Sequence, residues 1–133
     1  MKGLLFTLMY FWVIGGNIAY AELIPSASTE VVDLSIINLI TTPERYNGKL
    51  VRIIGYVELQ FEGTSIYLSK YANASAKNGL WLDSVDPKIW PKYNKKYCLI
   101  EGTFNSNNQG HMGMWSGAIE NIQRFEVWRL EFR

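Results

Sequence analysis

The chain's only histidine, two of its four methionines and one of its five tryptophans fall within eight residues, GHMGMWSG, Gly110 to Gly117. Imidazole and thioether are ligands for Cu(I). Exposed indole and imidazole rings can instead stack on a ligand. The three glycines, by contrast, suit a sharp bend in which none of this chemistry is used. Which reading applies depends on the elements that hold the stretch.

Other candidate chemistry is sparse. Cys98 has no second cysteine with which to form a disulfide within the chain. It lies in KYCLIEGTF, where Cys98, Ile100, Gly102 and Phe104 share one face of a period-2 pattern, so a small buried hydrophobe is expected. A Ser-His-Asp triad would require His111 as its base, and no nucleophile elbow is present. There is no phosphate loop, and no cofactor is expected. Asp83, Asp86, Glu101 and Arg52 are the acidic and basic residues that a calcium-dependent nuclease would use. Asp83 and Asp86 lie beside Pro87, however, where a turn and a helix cap account for them.

Composition limits the partners. Across 133 residues, 48% hydrophobic and 14% aromatic content suffices for a packed core. MKGLLFTLMYFWVIGGNIAYAELIP has a short basic start, an apolar run and Ala19-Tyr20-Ala21, the pattern of a secretory signal peptide cleaved after Ala21. The apolar run is shorter than the ~20 residues of a spanning helix, so no membrane span is expected after cleavage. Removing residues 1–21 takes one lysine and no acidic residue, leaving twelve basic against twelve acidic. A neutral domain whose densest basic cluster is Lys92, Lys95 and Lys96 is a poor binder of phosphate backbones. The expected protein is therefore exported, periplasmic or secreted, and does not bind nucleic acid generally.

Behind a polar lead at 22–30, VVDLSIINLITTPERYNGK places Leu34, Ile37 and Ile40 at helical spacing, widened by Ile36 and Leu39. Ser35 can cap this helix, Pro43 should end it near Thr42, and Asn47-Gly48 should turn the chain. KLVRIIGYVELQF alternates, with Val51, Ile53, Gly55, Val57, Leu59 and Phe61 on one face. Gly55 marks a bend or a close backbone approach. Glu62-Gly63 turns into TSIYLSK, a second strand, and LWLD is a third. SVDPKIWPKYNKK holds a helical turn starting near Asp86. YCLIEGTF is the fourth strand and HMGMWSGAIENIQRFEVWRLEF a fifth, interrupted one. Asn73-Ala74-Ser75 matches a glycosylation sequon, a triplet common by chance.

Five strands with an N-terminal amphipathic helix and a short helix between strands three and four give the order of an OB-like Greek-key barrel, over residues 31–133. LITTPERYNGKLVRIIGYV, LWLD, YCLIEGTF and GHMGMWSGAIENI together resemble small exported bacterial OB-like domains, a group similar to anticodon-binding OB domains. The resemblance runs from Val31 to Phe125, and Pro43 to Gly55 is its most distinctive part. It implies fold and export and brings no catalytic residue, since fold alone does not set function.

Within that barrel, GHMGMWSG is read first as a turn entering the fifth strand. Met112, Met114 and Ser116 then fall on one face, with the methionines filling the core, and His111 and Trp115 on the other. A second reading sets His111 and Trp115 beside Tyr56, Tyr67 and Trp81 as a stacking platform for an oligosaccharide, peptide or protein. The third is a soft-metal site of His111, Met112 and Met114. Its inventory resembles exported OB-like copper chaperones, although adjacency of His111 and Met112 departs from their spacing. The overall expectation is a non-enzymatic binding module. Copper binding and then a small nuclease are the alternatives.

Overall fold

Ser35 begins the first helix with the chemistry expected of a serine ahead of an apolar stripe. Its Oγ accepts the Ile37 N–H, while the Asn38 side chain accepts the Ser35 N–H at 3.1 Å, which closes a capping box. Helix α1, Ile36–Thr41, ends before Pro43, as the sequence implies. Pro43 also starts α2, Pro43–Tyr46, because a missing N–H costs nothing at a first helical position. The buried residues of α1 are Ile36 and Leu39, whereas Ile37 is half exposed. Leu34 and Ile40 of the expected stripe pack partly buried against the core, which Ile36 and Leu39 enter fully, and only Ile37 turns outward.

The computed structural model describes residues 30–129. The signal segment expected at 1–21, and all but the last residue of the lead expected at 22–30, lie outside the described residues. Among these, no helix is long and apolar enough to cross a membrane.

The described residues contain six strands in the order β1 (Val32–Asp33), β2 (Leu50–Glu58), β3 (Ser65–Tyr67), β4 (Gly79–Leu82), β5 (Lys96–Asn105) and β6 (Ala118–Val127). Strand β2 pairs antiparallel with β5 from Leu50↔Thr103 to Val57↔Lys96, and its far end pairs with β3. Strand β3 pairs with β4, β4 runs parallel to β6, and β6 pairs with β5. The ring β2–β3–β4–β6–β5 therefore closes on itself into a five-stranded OB-like barrel. The short β1 is an extra strand, parallel to the start of β2.

The barrel interior follows from alternation. Val51, Ile53 and Val57 of β2 meet Cys98, Ile100 and Phe104 of β5, with Ile66, Leu80, Leu82 and Ile119 filling the remaining space. Ile36 and Leu39 of α1 join the same core. Phe61 was expected on this face but is 88% exposed. Strand β2 ends at Glu58, so the alternation stops before reaching it.

Gly55 marks a close approach between elements. A Cβ there would lie 2.5 Å from the Tyr67 carbonyl oxygen and 2.7 Å from Ile36 Cδ1. At this point β2 leaves room for both β3 and α1, and only glycine fits. The helical turn expected near Asp86 is present: the Trp90 N–H donates to the Asp86 carbonyl at 3.1 Å, and Asp86 Oδ1 caps the turn by accepting the Lys88 N–H at 2.8 Å. A single 3-10 turn, Pro91–Tyr93, completes the segment between β4 and β5. The interruption expected in the last strand appears as a register shift between β5 and β6 at Glu101/Thr103, where Asn121 takes a positive φ.

Candidate functional site

Residues directly opposite in an antiparallel ladder share a face. The pairs Tyr56↔Tyr97, Tyr56↔Tyr67 and Tyr67↔Gly79 therefore form one row across the outside of the barrel. Glu58↔Ser65 and Ser65↔Trp81 form the next. Tyr56 meets Tyr97 edge-on at 5.5 Å between ring centroids. Tyr67 is nearly covered, because its ring lies where Gly79 has no side chain. Trp81 packs against Trp115 with centroids 5.0 Å apart.

Trp115 arrives from the loop 106–117, and this loop corrects the first reading of GHMGMWSG. The stretch is not yet strand: His111–Gly113 forms a single 3-10 turn in which Met112 takes φ +55°. Pairing of β6 with β5 begins only at Ala118↔Asn105, so no ladder imposes alternation on residues 111–117. Met112 is 83% exposed and Met114 47% exposed, so neither fills the core. Trp115, expected on the face opposite the methionines, carries the buried side chain of the segment.

Side-chain amides hold the loop in place. Asn105 and Asn108 both donate to Glu120 Oε1, at 3.0 and 2.9 Å, and Asn108 Oδ1 accepts the Gly110 N–H. Gly110, at φ +68°, lies flat against Trp81: a Cβ there would come within 2.7 Å of the indole. Facing this loop is the hairpin turn 59–64 that joins β2 to β3. The two tips meet where His111 Nε2 lies 3.3 Å from Glu62 Oε2.

Two open grooves flank that turn. The first, of about 470 Å³, is bounded by Phe61, Glu62, Trp81, Asp83, Asn108 and His111. The second, of about 590 Å³, runs past Glu58, Phe61, Tyr67, Lys95, Met114 and Trp115. Backbone strain is distributed around them: Glu62, Ser84 and Met112, each in or beside a groove wall, have φ near +55° to +60°. Non-glycine residues in that region cost about 1–3 kcal/mol each and persist only where surrounding structure holds them.

Of the five residues expected to form a stacking platform, Trp81 and His111 line the first groove, and Tyr67 and Trp115 line the second. Tyr56 lies outside both, against Tyr97. Phe61, Glu62, Gln60 and Asn108 also line the grooves, with no local pattern in the sequence that marks them for it. The Glu62-Gly63 turn was visible, but not that its tip would face the loop before β6.

The soft-metal set does not converge. His111 faces Glu62 in the first groove, Met114 lines the second, and Met112 lines neither. Among the described residues, no group of three or more His, Cys, Asp and Glu side chains is placed to hold a metal ion. The residues weighed for a nuclease also separate. Arg52 Nε donates to Glu101 Oε1 at 2.6 Å, and Arg124 donates to the same oxygen at 3.0 Å. Asp33 and Glu126 extend this network outward. Hydrogen bonding, first from Arg52 and then from Arg124, holds the Glu101 carboxyl below the ordinary glutamate range. Asp83 instead lines the first groove, and Asp86 caps its turn.

Cys98 is fully buried, and desolvation pushes its thiol up to about 11. No family model, curated protein or solved structure matches this chain.

Proposed function

We propose that this protein is an exported ligand-binding module that works by recognition rather than catalysis. Its binding surface is the outer face of β3 and β4, between the 59–64 turn and the 106–117 loop. One observation carries the reading: two open grooves lie on either side of Phe61 and Glu62, floored by aromatic side chains from β3, β4 and the second loop. OB barrels bind extended ligands on this same face and these same loops. Clefts with an apolar floor and a few polar groups are where ligands are held. Export rests on the signal pattern of residues 1–21 and on the resemblance to small exported OB-like domains.

The lining favours an oligosaccharide, peptide or protein over nucleic acid. Among the described residues, Lys95 is the one lysine or arginine lining the two grooves, against Glu58, Glu62 and Asp83, and phosphate polymers need clustered cations. Calorimetric titration of the protein with oligosaccharides, peptides, single-stranded DNA and Cu(I), repeated with Phe61→Ala, tests the proposal. Binding of a saccharide or peptide that the substitution weakens at least tenfold is the expected result. Tight binding of DNA or Cu(I) alone would overturn it.

A further inference from the structure

The first groove is the more selective of the two, because its lining contains two carboxylates and no lysine or arginine. Elsewhere on this barrel a partly buried carboxylate is neutralised: Glu101 receives two arginines. Glu62 and Asp83 have no such partner among the described residues. Glu62 meets only His111, and Asp83 accepts a hydrogen bond from the Ser84 hydroxyl at 3.1 Å. Partly exposed Trp81 lines the same groove, and Phe61 forms an exposed aromatic edge. Lys88 belongs to an adjoining hollow with Asp86 and does not line the groove.

Carboxylates beside an aromatic face are a chemical match for a cation. Ring quadrupole and carboxylate both attract positive charge, and the aliphatic stem of a lysine or arginine covers an indole well. A neutral sugar would satisfy the aromatic floor and leave Asp83 with no cation and Glu62 with only the His111 imidazole. The groove is open and adjoins the second one across Phe61, so its occupant extends beyond a single side chain. We infer that the groove binds a lysine or arginine side chain of an extended peptide segment of a partner protein, with Glu62 and Asp83 as the charge-recognising residues and Trp81 as the floor. This inference rests on the binding face proposed above and specifies its ligand class.

The test is a titration of the isotopically labelled protein with three probes, followed by amide and indole resonances. The probes are a Gly/Ser decapeptide bearing two arginines and two lysines, the same decapeptide with glutamates, and a neutral hexasaccharide. The basic decapeptide should shift the Trp81 indole and the amides of Phe61, Glu62 and Asp83, with affinity falling as salt rises. Glu62→Gln and Asp83→Asn should each weaken it fivefold or more with little change in melting temperature. Both substitutions keep side-chain size, so loss of binding is not loss of fold. If the saccharide or the acidic peptide shifts these resonances and the basic one does not, the cationic ligand class is overturned while the binding face stands. If no probe moves these resonances, the inference fails. Shifts from the basic peptide that both carboxylate variants retain would also overturn it.

Discussion

Trp115 packs on Trp81 with ring planes 59° apart, although one ring belongs to the loop before β6 and the other to β4. The contact ties the loop to the sheet face that it borders, so the loop that bounds both grooves is anchored by one of its own aromatic residues. Trp115 is 5% exposed, and truncation would leave a cavity on the platform's underside. Trp115→Ala should cost about 3 kcal/mol or more, measured as a lower denaturation midpoint, and should broaden the resonances of residues 106–117. Unchanged stability would show that the loop's hydrogen bonds hold it without this contact.

Gly55 has no space for a side chain. Its absent Cβ would meet the Tyr67 carbonyl oxygen at 2.5 Å, and backbone cannot rotate away as a side chain can. Gly55→Ala should cost about 1–3 kcal/mol by overpacking, with Gly55→Val costing more. A thermal melt of the alanine variant at the wild-type temperature would contradict this packing.

The buried Cys98 thiol should resist alkylation in the native protein and react once denaturant exposes it. Its folded pKa of about 11 lies above the ordinary thiol value of about 8.5. Between those values the folded state retains a proton that the unfolded state releases. The stabilising contribution is therefore complete below about pH 8.5 and is lost as pH rises toward 11. Cys98→Ala should remove this alkaline dependence, read by denaturant titration at pH 7, 9 and 10.5.

Glu101 should produce the opposite pH response. Arg52 and Arg124 lower its folded pKa, so its contribution is present above the ordinary glutamate value of about 4.3 and is lost as pH falls through the lowered one. Glu101→Gln should melt at a lower temperature than wild type at pH 7. The gap should narrow below pH 4, where the wild-type carboxylate also takes up its proton. Raised salt should weaken the difference, because the arginines are partly exposed.

Met112 and Met114 project from the loop surface, so exchange for a polar residue should cost little. Met112→Gln and Met114→Gln should each stay within about 0.5 kcal/mol of wild type. Met112→Gly should be neutral or stabilising, because Met112 holds φ +55°, which glycine adopts without strain. Denaturant midpoints of the three variants decide the matter. A loss of about 2 kcal/mol in either glutamine variant would return that methionine to the core.

Local sequence determined those parts of this protein whose physics is local. Ser35 and Pro43 set the ends of α1 through capping and a missing N–H. Alternation from Val51 to Val57 and from Cys98 to Phe104 fixed which faces turn inward, because a strand held in a ladder has no other way to place its side chains. Gly55 could be picked out as a close approach for the same reason. Alternation was uninformative where no ladder exists. It put Phe61 and both loop methionines in the core, yet Phe61 lies past the end of β2 and Met112 and Met114 lie ahead of the start of β6. The tertiary structure also decided which half of the α1 stripe is buried, since that depends on where the barrel meets the helix. Above all, it decided the binding face. Glu62 and His111 are far apart in sequence, and Trp81 meets Trp115 only because β4 and β6 are neighbours once the barrel closes. A groove formed by the ends of strands from opposite halves of the chain has no sequence pattern of its own, because closure of the ring, not any local preference, brings its walls together.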